Sequence, residues 1–184
     1  VAERAFPAVS NVCAERMIAA IENARAGGDS VGGIIECVAL GVPGGLGAPF
    51  FDSVESRLSH MIFSIPAVKG VEFGSGFDAA SMRGSENNDA FCPDADGHIT
   101  TVTNHAGGIL GGITTWEDIR FRCAIKPTPS IGKAQRTVDL NKKSNTVISI
   151  EGRHDPCIVP RAVPVTEAAA AIAVYDIILA KERG

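Results

Sequence analysis

The sequence predicts an α/β or α+β domain with mixed or antiparallel strand pairing. Two observations carry this: apolar repeats switch between helical and strand spacing along the chain, and their order is roughly αβαβ, then several strands, then α. A third is composition: among 184 residues, 45% are hydrophobic and 21% charged, which is normal for a folded globular protein and excludes wholesale disorder. Aromatics make up only 5%, so the core is expected to be aliphatic.

The first element follows Pro7, where Val9, Val12, Cys13, Met17, Ala20, Ile21 and Ala24 recur at steps of three and four. Gly27-Gly28 ends this helix. Residues 34–40 form a nearly continuous apolar run between glycines and read as a well-buried strand. Asp52 and Glu55 fit a capping box, with Val54, Leu58, Met61 and Ile62 as the inner stripe of the helix that follows. Residues 68–73 read as a strand, and Gly74-Ser75-Gly76 turns the chain.

Residues 84–97 are polar and acidic, and read as a mobile surface loop or a lid. Strands are expected at 99–102, 121–125 and 146–150. Residues 162–179 form an Ala-rich helix, apolar on nearly all sides and so expected to be buried. Pro164, Glu167 and Asp176 interrupt that stretch, so no membrane span is expected. No repeat and no interdomain linker is visible, and a single domain over 1–184 is expected.

Charge is unevenly placed. Residues 1–119 carry net −9, residues 120–161 net +6, and the remainder −1. An overall charge of −4 argues against a protein that coats nucleic acid. One cationic segment in an acidic chain suits a localised anion, or is a solvated face. Five widely spaced cysteines without a CxxC pair argue against a disulfide framework and a structural zinc site, and point to a reducing, cytoplasmic compartment. The four histidines lack metal-ligand spacing, so no metal is expected. The chain opens on Val1 rather than Met, which suggests missing upstream sequence.

Four kinds of motif bear on chemistry. Gly28-Asp29-Ser30-Val31-Gly32-Gly33 has a superficial likeness to a serine-protease nucleophile loop, without the triad partners that would support it. The glycine-rich stretches at 44–47 and 107–112 are neither a dinucleotide fingerprint nor a P-loop; glycine there permits positive φ or close backbone packing. Lys126-Pro127-Thr128-Pro129-Ser130 offers a cation and two hydroxyls, good chemistry for a phosphate monoester. Gly152-Arg153-His154-Asp155-Pro156-Cys157 sets a cation, an imidazole and a carboxylate side by side, which suits proton abstraction beside an anion or an ion pair bracing a loop.

Together the segments GVPGGLGAPFFDSVESRL (41–58), SIPAVKGVEFGSGF (64–77), RGSENND (83–89), NHAGGILGGIT (104–114), KPTPSI (126–131) and GRHDPCIVPRAVPVTEA (152–168) resemble the C-terminal half of the chorismate synthase family, in the family's order. The resemblance implies part of a β-α-β sandwich of α+β class, with helices packed on antiparallel or mixed sheet. It also implies a lyase of the shikimate pathway that serves aromatic amino acid biosynthesis. That enzyme eliminates phosphate from 5-enolpyruvylshikimate 3-phosphate by a 1,4-anti route to give chorismate. It needs reduced FMN, with NADPH as flavin reductant in some members, and works as a cytoplasmic homotetramer.

Carried over by motif, Pro66, Ala67, Gly111, Lys126, Pro127, Thr128, Pro129, Ser130 and Arg153 are expected at FMN, Arg153 and His154 at substrate, and Asp155 in proton transfer. The family's Gly-Glu-Ser-His-Gly signature, second catalytic histidine and flavin loop are absent. The chain is therefore expected to be a C-terminal fragment, inactive alone and prone to self-association. The alternative is a non-catalytic homologous ligand-binding or assembly module.

Overall fold

The structure is a computed structural model that describes residues 6–152 and 154–183. The chain divides into two compact units, Val1–Gly33 with Ile125–Val163, and Ile34–Ala124 with Pro164–Gly184. Helices and sheets are mixed throughout, and the fold is α+β.

The larger unit is built on a three-stranded sheet ordered β1-β7-β2, from Gly33–Ala39, Ile119–Ile125 and Val68–Phe73. Strict alternation along β7 sends Ile119, Phe121 and Cys123 inward, while Arg120, Arg122 and Ala124 point outward. Helix α2 (Val54–Phe63) covers the inner face with Val54, Leu58 and Ile62, none more than 1% exposed. The cap of α2 is Ser53, whose Oγ accepts from the Ser56 N–H at 3.1 Å, one residue beyond the expected Asp52. Strand β2 has the expected bounds, and its Phe73 ring lies 6.0 Å from that of Phe121.

Three expectations are corrected here. Strand β1 was expected to be well buried, yet only Ile35 and Cys37 face the core; Ile34, Val38 and, just past its end, Leu40 are exposed because only one face of the sheet is covered. Residues 84–97 are not an unstructured loop. They hold a four-residue helix α3 (Gly84–Asn87) and strand β3 (Phe91–Pro93), which pairs antiparallel with β4 (Ile99–Thr101). Helix α4 (Val159–Arg183) buries one stripe, Thr166, Ala169, Ala170, Ala173 and Ile177, whereas Val165, Ile172 and Tyr175 are exposed. By length and composition α4 is apolar enough to cross a membrane, with a third of that stretch buried within the fold, so charge interruption alone did not exclude a span.

Thr166 on α4 is fully buried beside the sheet, and Arg57 on α2 pairs with Asp176 on α4. Burial, reinforced by Glu167 and Cys123, pushes the Cys37 thiol up to about 11, so it serves packing rather than reactivity.

The smaller unit holds helix α1 (Asn11–Ala26), capped by Ser10, with no buried residue along its length. It also holds the antiparallel ribbon β8 (Gln135–Asp139) and β9 (Ser144–Ile148).

Candidate functional site

The expected site residues fall in both units. In the larger one, Pro66 and Ala67 are the two central residues of the turn from α2 to β2, closed by Val68 N–H donating to the Ile65 carbonyl at 3.3 Å. A φ of 75° at Ala67 is the left-handed value a type II turn demands at its third residue, where glycine is usual. A non-glycine residue held there stores strain, a feature that clusters at ligand-binding sites. Gly111 and Gly112, with φ of 59° and 84°, form the type I′ turn joining β5 (Ile109–Leu110) to β6 (Ile113–Thr114).

A Cβ on Gly111 would meet nothing within 4 Å, whereas one on Gly112 would lie 2.7 Å from Ser53 Cβ. The two glycine-rich stretches meet at backbone level: a Cβ on Gly47 would sit 2.3 Å from the Gly112 carbonyl. Thr114 binds them together, donating to the Pro43 carbonyl at 2.6 Å and accepting from the Leu46 N–H at 2.9 Å. Positive φ and close packing together require glycine at 47 and 112, whereas Gly111 answers to its positive φ alone.

Asp89, from RGSENND, is a buried carboxylate that accepts from the Thr103 hydroxyl at 2.7 Å and from the N–H groups of His105 and Ala106 at 2.8 Å each. Burial works to raise this carboxyl, but those donors and the neighbouring His105 outweigh it and hold the group below its ordinary value. The segment before the Gly107-Gly108 turn is therefore pinned rather than mobile.

In the smaller unit, β7 delivers the chain at Ile125 to Lys126-Pro127-Thr128-Pro129-Ser130. Lys126 is exposed and has no carboxylate partner among the described residues. Thr128 is half-buried; its Oγ1 is shut off from solvent without a hydrogen-bond partner among the described residues. The Thr128 carbonyl accepts from Ser30 Oγ at 2.6 Å, and the Pro129 carbonyl from Gln135 Nε2 at 3.1 Å. Ser30 is thus a brace rather than a nucleophile.

His154 is half-buried and donates Nε2–H to the Ile150 carbonyl at 2.8 Å, since a carbonyl can only accept. Asp155 pairs with Arg161, so the ion-pair element of the sequence reading is present. Arg153 lies outside the described residues. Sequence reasoning missed the roles of Ser30, Gly32 and Arg161. The signal for Gly32 is its closeness to a neighbouring backbone, which spacing alone does not reveal.

An exposed cation, a hydroxyl lacking a partner among the described residues and a second hydroxyl on one loop suit a phosphate monoester. The exposed trio Asp94, Asp96 and His98 brings ligand atoms within 4.8 Å of one another, but Asp94 is already occupied by the N–H groups of Asp96 and His98.

The family model for chorismate synthase matches residues 1–179. A chorismate synthase of Korarchaeum cryptofilum is 57% identical over 169 residues, 92% of this chain and 46% of its own length. One of Methanosarcina acetivorans is 58% identical over 163 residues, 89% of this chain and 44% of its own. A crystal structure of a chorismate synthase superposes with a TM-score of 0.72 at 32% identity, covering 91% of this chain and 43% of that one. The chain spans a little under half the length of these relatives. Over that span it belongs to the chorismate synthase family.

Proposed function

We propose that this chain supplies the phosphate grip and a proton-transfer carboxylate of a chorismate synthase, the lyase that converts 5-enolpyruvylshikimate 3-phosphate to chorismate and inorganic phosphate. The observation that carries this is the loop at 126–130, where the Lys126 ammonium has no carboxylate partner and the Thr128 hydroxyl no hydrogen-bond partner among the described residues. Reduced FMN, when bound, lends electron density that weakens the allylic C–O bond, and NADPH reduces it in some members of the family.

Lys126 neutralises the FMN phosphate, while Thr128 and Ser130 donate hydroxyl hydrogen bonds to it. Pro127 and Pro129 fix φ on either side of Thr128 and so hold the loop extended. In the larger unit, taken by itself, the strained turn at Pro66 and Ala67 and the open side of Gly111 leave backbone accessible to a ligand, and the family motif makes these residues flavin contacts. Arg153 and His154 hold the substrate's anionic groups. The Asp155 carboxylate, oriented by Arg161, assists the flavin-linked proton transfer. The assembly is a cytoplasmic homotetramer.

The test is Asp155→Asn in a complete chorismate synthase carrying this sequence, assayed anaerobically with reduced FMN. Turnover is expected to fall about 100-fold while flavin affinity is kept. Full turnover in that variant leaves Asp155 as one half of a structural ion pair. The alternative of a non-catalytic binding module predicts no turnover in either form.

A further inference from the structure

We infer that Gly28-Asp29-Ser30-Val31-Gly32-Gly33 is a positioning strap that sets the backbone of the 126–130 loop and ties it to Pro156. The inference rests on the reading of that loop as a phosphate grip. Four contacts, all within the smaller unit, carry it. Ser30 Oγ donates to the Thr128 carbonyl at 2.6 Å, although the two residues are 98 apart in sequence. Asp29 pairs with Lys133 at 2.7 Å and turns its other oxygen to the Ser30 N–H at 2.9 Å. The Val31 N–H donates to the Pro156 carbonyl at 2.8 Å, next to Asp155. The Lys133 N–H reaches back to the Gly28 carbonyl at 3.3 Å, closing the far side of the loop.

Gly32 supplies the closest approach. A Cβ there would stand 2.2 Å from the Ile125 carbonyl oxygen, 3.0 Å from Pro127 N and 3.1 Å from the Lys126 carbonyl carbon. All three obstacles are backbone, so a side chain at 32 can be accommodated only by moving the stretch that presents Lys126. Gly32 is therefore glycine for proximity, with no positive φ involved. The loop itself cannot supply this order. Pro127 and Pro129 have no N–H to donate, so its carbonyls depend on donors from elsewhere, and Ser30 and Gln135 are those donors. Holding the Thr128 carbonyl on one side leaves its hydroxyl and the Lys126 ammonium for a ligand, which is how a positioning residue raises affinity without touching the ligand.

The experiment compares the wild-type chain with Ser30→Ala, Ser30→Thr and Gly32→Ala. Backbone amide order parameters at Thr128 and Ser130 are measured by nitrogen-15 relaxation, with hydrogen exchange at Val31. In Ser30→Ala the order parameters are expected to drop from the rigid range near ~0.85 to below ~0.6. Exchange at Val31 is expected to speed up about tenfold. Ser30→Thr, which keeps the donor, restores both, and Gly32→Ala reproduces the loss. Exchange at Phe121 and Cys123 in β7 stays unchanged throughout, a control that general destabilisation would move.

Unchanged order at Thr128 and Ser130 in Ser30→Ala overturns the strap, as does loss at Phe121 matching that at Val31. Titration of the complete enzyme with FMN separates the two readings. Weaker binding in Ser30→Ala with rescue by Ser30→Thr supports both. Binding indifferent to Lys126→Ala, alongside a mobile 126–130 loop in Ser30→Ala, removes the flavin assignment and keeps the strap.

Discussion

Lys126 and Asp89 show two opposite uses of a charge in this chain. Lys126 stands exposed without a carboxylate partner among the described residues, so its full charge is available to an incoming anion. Lys126→Ala is expected to weaken FMN binding by about 1.5–3 kcal/mol, the range for a hydrogen bond to a charged group, read by flavin fluorescence titration of the complete enzyme. Asp89 is the reverse, a carboxylate spent on three protein donors. Its folded-state pKa is lowered, so its contribution to stability is present above the ordinary carboxylate range and is lost as pH falls through the lowered folded value. Urea midpoints are therefore expected to decline below about pH 4. Asp89→Asn is expected to cost about 1.5–3 kcal/mol at neutral pH and to flatten that acid limb. An acid limb as steep in the variant as in the parent assigns the decline to other carboxylates.

At the scale of elements, α2 is the keystone of the larger unit because its inner stripe is sealed against the sheet. Leu58 is wholly buried, so Leu58→Ala is expected to lower stability by about 2–5 kcal/mol in denaturant titration. Leu140→Ala, at a residue 83% exposed, is expected to stay within about 0.5 kcal/mol. The helical period of α2 and the bounds of β2 were legible in sequence because each element supplies its own pattern. Burial was less so. The apolar run at 34–40 announces a strand, but only the covering of a single sheet face decides that Ile34 and Leu40 stay in solvent.

The same limit explains residues 84–97. Helix α3 and strand β3 are each too short to show a period, and the bonds that hold Asp89 between them come from residues well over ten positions away, whereas the strand expected at 99–102 is present as β4. Strand β8 reads Gln-Arg-Thr-Val-Asp, without the alternation that marks a half-buried strand, and so went unread. The candidate site residues were visible as motifs, whereas their supports were not. Ser30 and Thr128 become neighbours only once the chain has folded, and the serine's apparent likeness to a nucleophile loop hid its use as a donor.

The whole molecule poses a different question, because a little under half of each relative's length corresponds to this chain. The proposed elimination calls for reduced flavin on one side of the substrate and proton carriers placed around it. The resemblance implies that the histidine signatures and part of the flavin cradle belong to the family's other half, whereas the residues here offer a phosphate grip and one carboxylate. Groups that act as a set lose most of their joint effect when several are missing. The 184-residue chain alone is therefore expected to make no detectable chorismate and to bind FMN weakly. Exposed aromatics at Phe50, Phe51 and Phe77, each at least 83% accessible, are expected to drive self-association that deepens with concentration. The check is an anaerobic assay of the purified chain with reduced FMN and 5-enolpyruvylshikimate 3-phosphate, run beside sedimentation over a range of concentrations. Chorismate formed at the rate of a complete enzyme places all the chemistry within these residues, and a monomer at every concentration assigns those aromatics to no interface.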